Sequence, residues 1–400
     1  MTSPLAGLRV LDLTNVLAGP LCAYQLALQG AEVIKVETPG SGDLARQLGA
    51  DPALSRRKMG ASFLAQNGGK SSITLNLKTE AGRQILHRLV ETADVLVENF
   101  RPGVMERLGV GHEVLRRTNP RLIYCAISGF GQTGPMKNAP AYDQIVQGLS
   151  GVMSITGDAQ SAPLRVGYPV ADSIGGVTAA FAITTALVQR ERTGQGAYID
   201  VSMLESVLVT MGWVVSNYLI CGVEPEPMGN DNFTAAPSGA FRTGEGLLNI
   251  AANKQEQFVA LAELIGRPDL LQDPRFAERE ARKRNRQALT VELEAALSTR
   301  SAAEWEGLLN QIGVPAGRVL SVPDALALPQ VQARGLVQAV GHIEGLDQDL
   351  RLAGAGFLVD GARPPPPAPP PVLGADTDAV LRGLGYCESD IAALREEGAL

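Results

Sequence analysis

Histidine and cysteine are scarce in this chain, and neither is grouped. Its 400 residues include three histidines, His87, His112 and His342, with no HxxxH or HExxH spacing, so a metal site has no obvious ligands. None of the three lies in a glycine-rich catalytic setting, which weakens any triad that needs a histidine base. The four cysteines, Cys22, Cys125, Cys221 and Cys387, contain no CxxC pair and read as buried thiols in a reducing compartment. A block of lysine and arginine is missing too. With a net charge of −7 and no clustered cations, nucleic acid and anionic membranes are poor partners. No secretory signal opens the chain, because Met1-Thr2-Ser3-Pro4 lacks the charged and apolar regions of one. The longest apolar run, Ile174 to Val188, is short for a membrane span and rich in small residues, so a buried core helix is expected there. A cytoplasmic protein is the expectation.

Apolar material, by contrast, is plentiful. Hydrophobic residues make up 45% and charged residues 19%, enough for a large core. At roughly 150 residues per domain, two or three compact units are predicted. Leu8–Leu13, Gly30–Glu37, Asp94–Asn99 and Leu122–Ile127 read as strands. Helical stretches at 20–29, 81–92 and 110–117 alternate with them, and a further strand is predicted at Tyr198–Met203. That alternation predicts an α/β fold with a doubly wound, mainly parallel, Rossmann-like sheet. Ligands on such sheets bind beyond the carboxyl ends of the strands, here the loops after residues 13, 37, 98 and 127. Glu37 closes the second strand as a ribose-binding acid would, yet Thr14–Pro20 contains no GxGxxG, so a dinucleotide is disfavoured.

A Gly-, Pro- and Asn-rich shift near 222–242 sets off a smaller α+β domain at 225–325, leaving 1–222 and 328–400 as the large domain. The charge run Glu278–Arg284 reads as a solvated helix face. Residues 364–371, nearly all proline, predict a stiff strap over the surface.

Asp172 stands where an apolar helix begins. Two readings stay open from spacing alone: a structural N-cap, or a carboxylate nucleophile. For the second, the helix N-terminus would keep the carboxylate ionised, and Gly175-Gly176 would leave room for a bulky ligand to reach it.

The chain resembles the class III CoA-transferase family, which includes formyl-CoA transferase and carnitine CoA-transferase. The likeness runs through Val10–Thr14, Ala18-Gly19-Pro20, Gly30–Glu37, Gly40–Asp43, Glu98–Gly103, the Tyr142 and Asp172 segments, and Thr193–Gly196. No single stretch is diagnostic; their order and spacing carry the resemblance. It implies that Asp172 is the nucleophile, working through an aspartyl anhydride and an aspartyl-CoA thioester. Coenzyme A and acyl-CoA are then substrates, with no permanently bound cofactor and no metal. Val16 and Ala18 match positions lining the CoA channel. Leu75 and Lys78 match the nucleotide end, and Asn99, Phe100, Arg101 and Arg107 match the loop around adenine and phosphates. Leu17 and Tyr142 fall near the acyl group, and Gly239 is the candidate for a glycine-containing loop. The large domain becomes the CoA-binding one, and an interlocked homodimer is implied.

The chain departs from formyl-CoA transferase at Leu17, Thr38 and Pro140, where that enzyme has glutamine, arginine and lysine. A short dicarboxylate or related acid is therefore expected rather than oxalate or formate. Two alternatives stand beside transfer. α-Methylacyl-CoA racemase shares the aspartate, but Tyr142 occupies the place of its histidine and is a weak base at neutral pH. A non-catalytic CoA-binding protein is the other.

Overall fold

The computed structural model describes residues 3–400. Six strands form one sheet: β1 (Arg9–Leu13), β2 (Glu32–Glu37), β3 (Lys70–Thr74), β4 (Val95–Glu98), β5 (Ile123–Ser128) and β6 (Tyr198–Ser202). Their order is β3-β2-β1-β4-β5-β6, and every pairing is parallel. Both sheet faces are covered, which is why these strands read as nearly unbroken apolar runs.

Successive side chains point to opposite faces. Val10, Val33, Val95, Ile123 and Cys125 pack on the side of helices Ala18–Leu28 and Val170–Thr193. Leu11, Ile34, Leu96 and Tyr124 face the layer of helix Glu80–Glu91, joined there by Leu381 and Ile391 near the C-terminus. From β1 the chain winds outward to β2 and β3, then returns to lay β4, β5 and β6 on the other side. The winding therefore reverses between β1 and β4, and at such a point the loops part to leave a crevice.

Helix Val170–Thr193 lies against helix Ala18–Leu28 so closely that a Cβ on Gly176 would stand 2.5 Å from the Ala18 carbonyl oxygen. A Cβ on Gly175 would stand 2.9 Å from Met203 Cγ. The glycine pair thus serves helix packing, and the room expected there for a ligand is filled by protein. This helix has the length and composition of a membrane span, but Ala171, Ala179 and Ile183 are in the core while Phe181 is 71% exposed. It is half-buried rather than a core helix, with an apolar outer stripe.

Residues 224–329 and 153–164 form a second compact unit; 1–152, 165–223 and 330–400 form the first. The second is built on the antiparallel strands β7 (Ser238–Arg242), β8 (Leu247–Ala251) and β9 (Ala316–Arg318), over a core that includes Phe258, Leu293 and Trp305. Within its charge run, Arg282 is buried and donates to the carbonyls of Ala236 and Phe276, both at 2.9 Å. Arg282 is thus a structural tie and not part of a solvated face.

In the first unit, β10 (Val337–Gly341) and β11 (Leu350–Ala353) make an antiparallel pair. The proline segment beyond them has no regular structure and is fastened by the Ala368 carbonyl, which accepts the Gly69 N–H at 2.8 Å. Cys22 and Cys125 are buried, whereas Cys221 and Cys387 are exposed, and all four are free thiols. The expectation of four buried thiols holds for two.

Candidate active site

The crevice between β1 and β4 is lined by backbone that side chains hold from several directions. Asn15 N–H donates to Asn99 Oδ1, and Asn99 Nδ2 returns a bond to the Asn15 carbonyl, each at 2.8 Å. The loops after β1 and β4 are thereby locked together. Val16 adopts φ 69°, a left-handed conformation that a β-branched residue seldom takes. Leu17, at the start of helix Ala18–Leu28, has no side-chain acceptor with which to cap it, so the first-turn N–H groups are left uncapped.

A buried ionic network underlies these loops. Lys35 Nζ lies 3.0 Å from Asp43 Oδ2 and donates to the Thr14 carbonyl at 2.8 Å. Lys70 pairs with Asp12 at 2.8 Å. Burial alone would discharge Lys35, but Asp12, Asp43 and Glu37 outweigh it and hold its ammonium charged. Glu37 receives two bonds of 2.7 Å from Arg46, one of 2.7 Å from Ser72 Oγ and one of 2.9 Å from Asp43 N–H. Its oxygens are thus engaged within the protein, and none is left for a ribose hydroxyl. Glu98, at the end of β4, accepts the Phe100 N–H at 2.8 Å, and burial pushes its pKa up to about 8.

Asp172 occupies the third residue of helix Val170–Thr193. It is not the cap, because Pro169 stands at that position. The helix N–H groups go to Asp143, whose Oδ1 accepts from Ala171 at 2.8 Å and from Asp172 at 3.4 Å. Asp143 is itself buried and fixed by Gln147 Nε2 at 2.7 Å, with Arg165 at 3.6 Å. The expected ionising pull of the helix terminus is therefore spent on Asp143. Burial, then the Asp143 charge, push the Asp172 pKa up to about 7. Such a carboxylate is more basic than an exposed aspartate and hence a stronger nucleophile once ionised. Asp172 lies one helical turn from Gly176, where the helix meets the Ala18 carbonyl.

The other sequence candidates fall as follows. Val16, Leu17, Ala18, Asn99, Phe100 and Arg101 all lie at the β1 and β4 ends, with Arg107 on the short helix that follows. Val16 and Leu17 also border an open cavity of about 500 Å³ whose walls include Leu48, Ala61 and Ala65. Lys78, Arg101 and Arg107 are exposed cations. The Leu75 side chain is buried in the core, so this residue can meet a ligand only through its backbone. Tyr142 is 69% exposed at the start of helix Asp143–Leu149. Gly239 lies inside β7 and not in a loop, because its pairing with Ile250 across the sheet extends the chain there. A Cβ on it would stand 2.7 Å from Asp231 Oδ1.

Sequence reasoning missed Asp143, Gln147, Lys35 and Asp43 as parts of the site. Asp143 and Asp43 sit inside the very stretches that carried the resemblance, and a charged residue bordering an apolar strand or helix was the signal available.

A doubly wound sheet with its crevice lined by these loops, and an aspartate raised toward neutrality beside it, fits an enzyme of acyl-CoA chemistry. A sequence model of CoA-transferase family III matches residues 5–377, and the chain belongs to that family as a class III CoA-transferase. Among its relatives, the acetyl-CoA:oxalate CoA-transferase of Acetobacter aceti is 43% identical over 88% of this chain and 90% of that protein. The succinyl-CoA:glutarate CoA-transferase of Mus musculus is 36% identical over 99% of this chain and 90% of that one. The crystal structure of a CAIB/BAIF family protein from Brucella suis superposes with a TM-score of 0.84. Its identity is 35%, over 96% of this chain and 100% of that one.

Proposed function

We propose that the enzyme moves coenzyme A from an acyl-CoA to a carboxylic acid through covalent intermediates on Asp172. The observation that carries this reading is the Asp172 carboxylate itself, brought to a pKa of about 7 by burial and Asp143, one helical turn from the contact of Gly176 with Ala18. In the first step a carboxylate oxygen attacks the thioester carbonyl, forming the acyl–aspartyl anhydride as CoA thiolate leaves. The thiolate then attacks the aspartyl carbonyl, releasing the donor acid and leaving aspartyl-CoA. The acceptor carboxylate displaces the thiolate to make a second anhydride. Finally the thiolate takes the acceptor acyl group and frees Asp172. Every intermediate remains activated, so the thioester's energy is kept as long as water is excluded.

The cations Lys78, Arg101 and Arg107 supply partners for the phosphates of CoA. For the acid, the relatives named for glutarate and oxalate support a short dicarboxylate, and the oxalate relative speaks against setting oxalate aside on Leu17, Thr38 and Pro140. A homodimer belongs to the same reading. Val209, Trp213, Leu219 and Ile220, on helices Met203–Thr210 and Trp213–Cys221, are each at least 70% exposed. An apolar patch of this kind suits burial against a second copy. The cytoplasm, where acyl-CoA and free acids meet, is the proposed location.

The test is to mix the enzyme with succinyl-CoA and a panel of carboxylic acids, then follow new thioesters by mass spectrometry. New thioesters that vanish in Asp172→Ala support transfer. Exchange of the α-proton without transfer marks a racemase, and CoA binding without either marks a binding protein.

A further inference from the structure

Three consecutive residues after β1 are each fastened by a side chain from a different part of the fold. The Thr14 carbonyl accepts from Lys35 Nζ on β2 at 2.8 Å. Asn15 is held at both N–H and carbonyl by Asn99, beyond β4. Val16 N–H donates to Asp43 Oδ1 at 2.9 Å. Asp43 sits in the loop after β2, where the same oxygen caps the short turn Leu44–Gln47 through the Ala45 N–H at 2.9 Å. Its other oxygen meets Lys35 at 3.0 Å, and its own N–H is taken by Glu37.

Both members of the Lys35–Asp43 pair are buried, and replacing such a pair by well-packed hydrophobic residues is often neutral for stability, so stability alone is a weak reason for the pair. The pair's placement gives it another use. Val16 is β-branched and sits at φ 69°, a conformation that persists only where the surroundings over-determine it. The bond from Val16 N–H to Asp43 is the contact that does so, and Lys35 keeps Asp43 aimed. The loop is set before any ligand arrives, and a loop ordered in advance saves the entropy of ordering on binding.

We propose that Asp43, aimed by Lys35, is a positioning residue for the thioester arm of CoA: it holds Val16 left-handed so that the loop before helix Ala18–Leu28 is open to the substrate. This rests on the CoA-transfer reading given above.

The test measures CoA affinity by calorimetry and acyl-CoA steady-state kinetics on the full-length enzyme. Asp43→Ala is expected to raise both Kd for CoA and KM for the acyl-CoA by tenfold or more, with a smaller change in kcat. Adding Val16→Gly is expected to recover part of that affinity, because glycine enters the left-handed region without being held there. A residue that only stabilises the fold gives no such recovery, since glycine loosens the loop further. Should Asp43→Ala not fold, Val16→Pro interrogates the same bond from the other side: it removes the N–H and sets φ near −65°, and is expected to weaken CoA tenfold or more. Unchanged affinity in either single variant, or a double variant no better than Asp43→Ala, overturns the proposal. If the unaltered enzyme neither binds CoA nor transfers it, the functional reading itself fails, which is a distinct result.

Discussion

Asp143 covers the helix end on which Asp172 sits: one of its carboxylate oxygens takes the N–H groups of Ala171 and Asp172, at 2.8 and 3.4 Å. Two aspartates thus share one helix terminus, and the dipole serves the one that does not react. Asp172 is left with burial and a like charge, both of which oppose its ionisation.

The pH dependence of transfer follows directly. With the Asp172 pKa near 7 and the ionised form as nucleophile, kcat/KM for acyl-CoA should rise through pH 7 and level off above it. Asp143→Asn removes the like charge, so the rise should move to lower pH. A profile that does not respond to Asp143 would separate the two carboxylates.

Stability should carry the same signature with the sign fixed by linkage. Asp172 binds its proton more tightly folded than unfolded, so its effect on stability worsens as pH climbs from about 4 to about 7. Asp172→Asn should therefore raise the unfolding temperature at pH 8 and change it little at pH 4. Scanning calorimetry at the two values checks this.

Gly176 and Gly175 should differ in tolerance. Gly176→Ala sets a methyl 2.5 Å from the Ala18 carbonyl, a backbone atom that cannot swing away. The expected cost is about 1–3 kcal/mol, typical of overpacking. Gly175→Ala meets the flexible Met203 side chain instead and should cost less. Denaturant midpoints of the two variants give the order.

Glu37 and Arg46 form a fully buried pair with two 2.7 Å bonds. Breaking it from one side strands a charge, so Arg46→Met should destabilise the first unit by roughly 3–5 kcal/mol. Arg46→Met with Glu37→Leu should lose less than the sum of the single changes. A double-mutant cycle in urea reads the coupling.

Much of the fold was legible because its strands are short apolar runs separated by amphipathic helices. Helix Glu80–Glu91 falls within one residue of the predicted 81–92, with Thr79 accepting the Gly82 N–H at its start. The loops after residues 13 and 98 were among the four expected to meet a ligand, but that these two flank the reversal follows only from the strand order. Contacts that depend on distant partners were not legible. Nothing local to Gly175-Gly176 says whether a ligand or Ala18 lies opposite, and only the fold decides. The ionising pull expected on Asp172 was misjudged for the same reason: Asp143, which takes the helix N–H groups, stands 29 positions earlier in the chain. Arg282 looks like its charged neighbours until tertiary packing brings it to the Ala236 carbonyl. Segment 153–164 joins the second unit from outside that unit's main stretch, which no compositional boundary announces.

The most direct measurement is to trap the intermediate. Enzyme incubated with acyl-CoA alone, digested and examined by mass spectrometry, should yield a peptide containing Asp172 bearing CoA. Hydroxylamine should convert that adduct to a hydroxamate at Asp172, and Asp172→Asn should give none. A catalytically active enzyme whose Asp172 peptide stays unmodified throughout turnover would contradict the account.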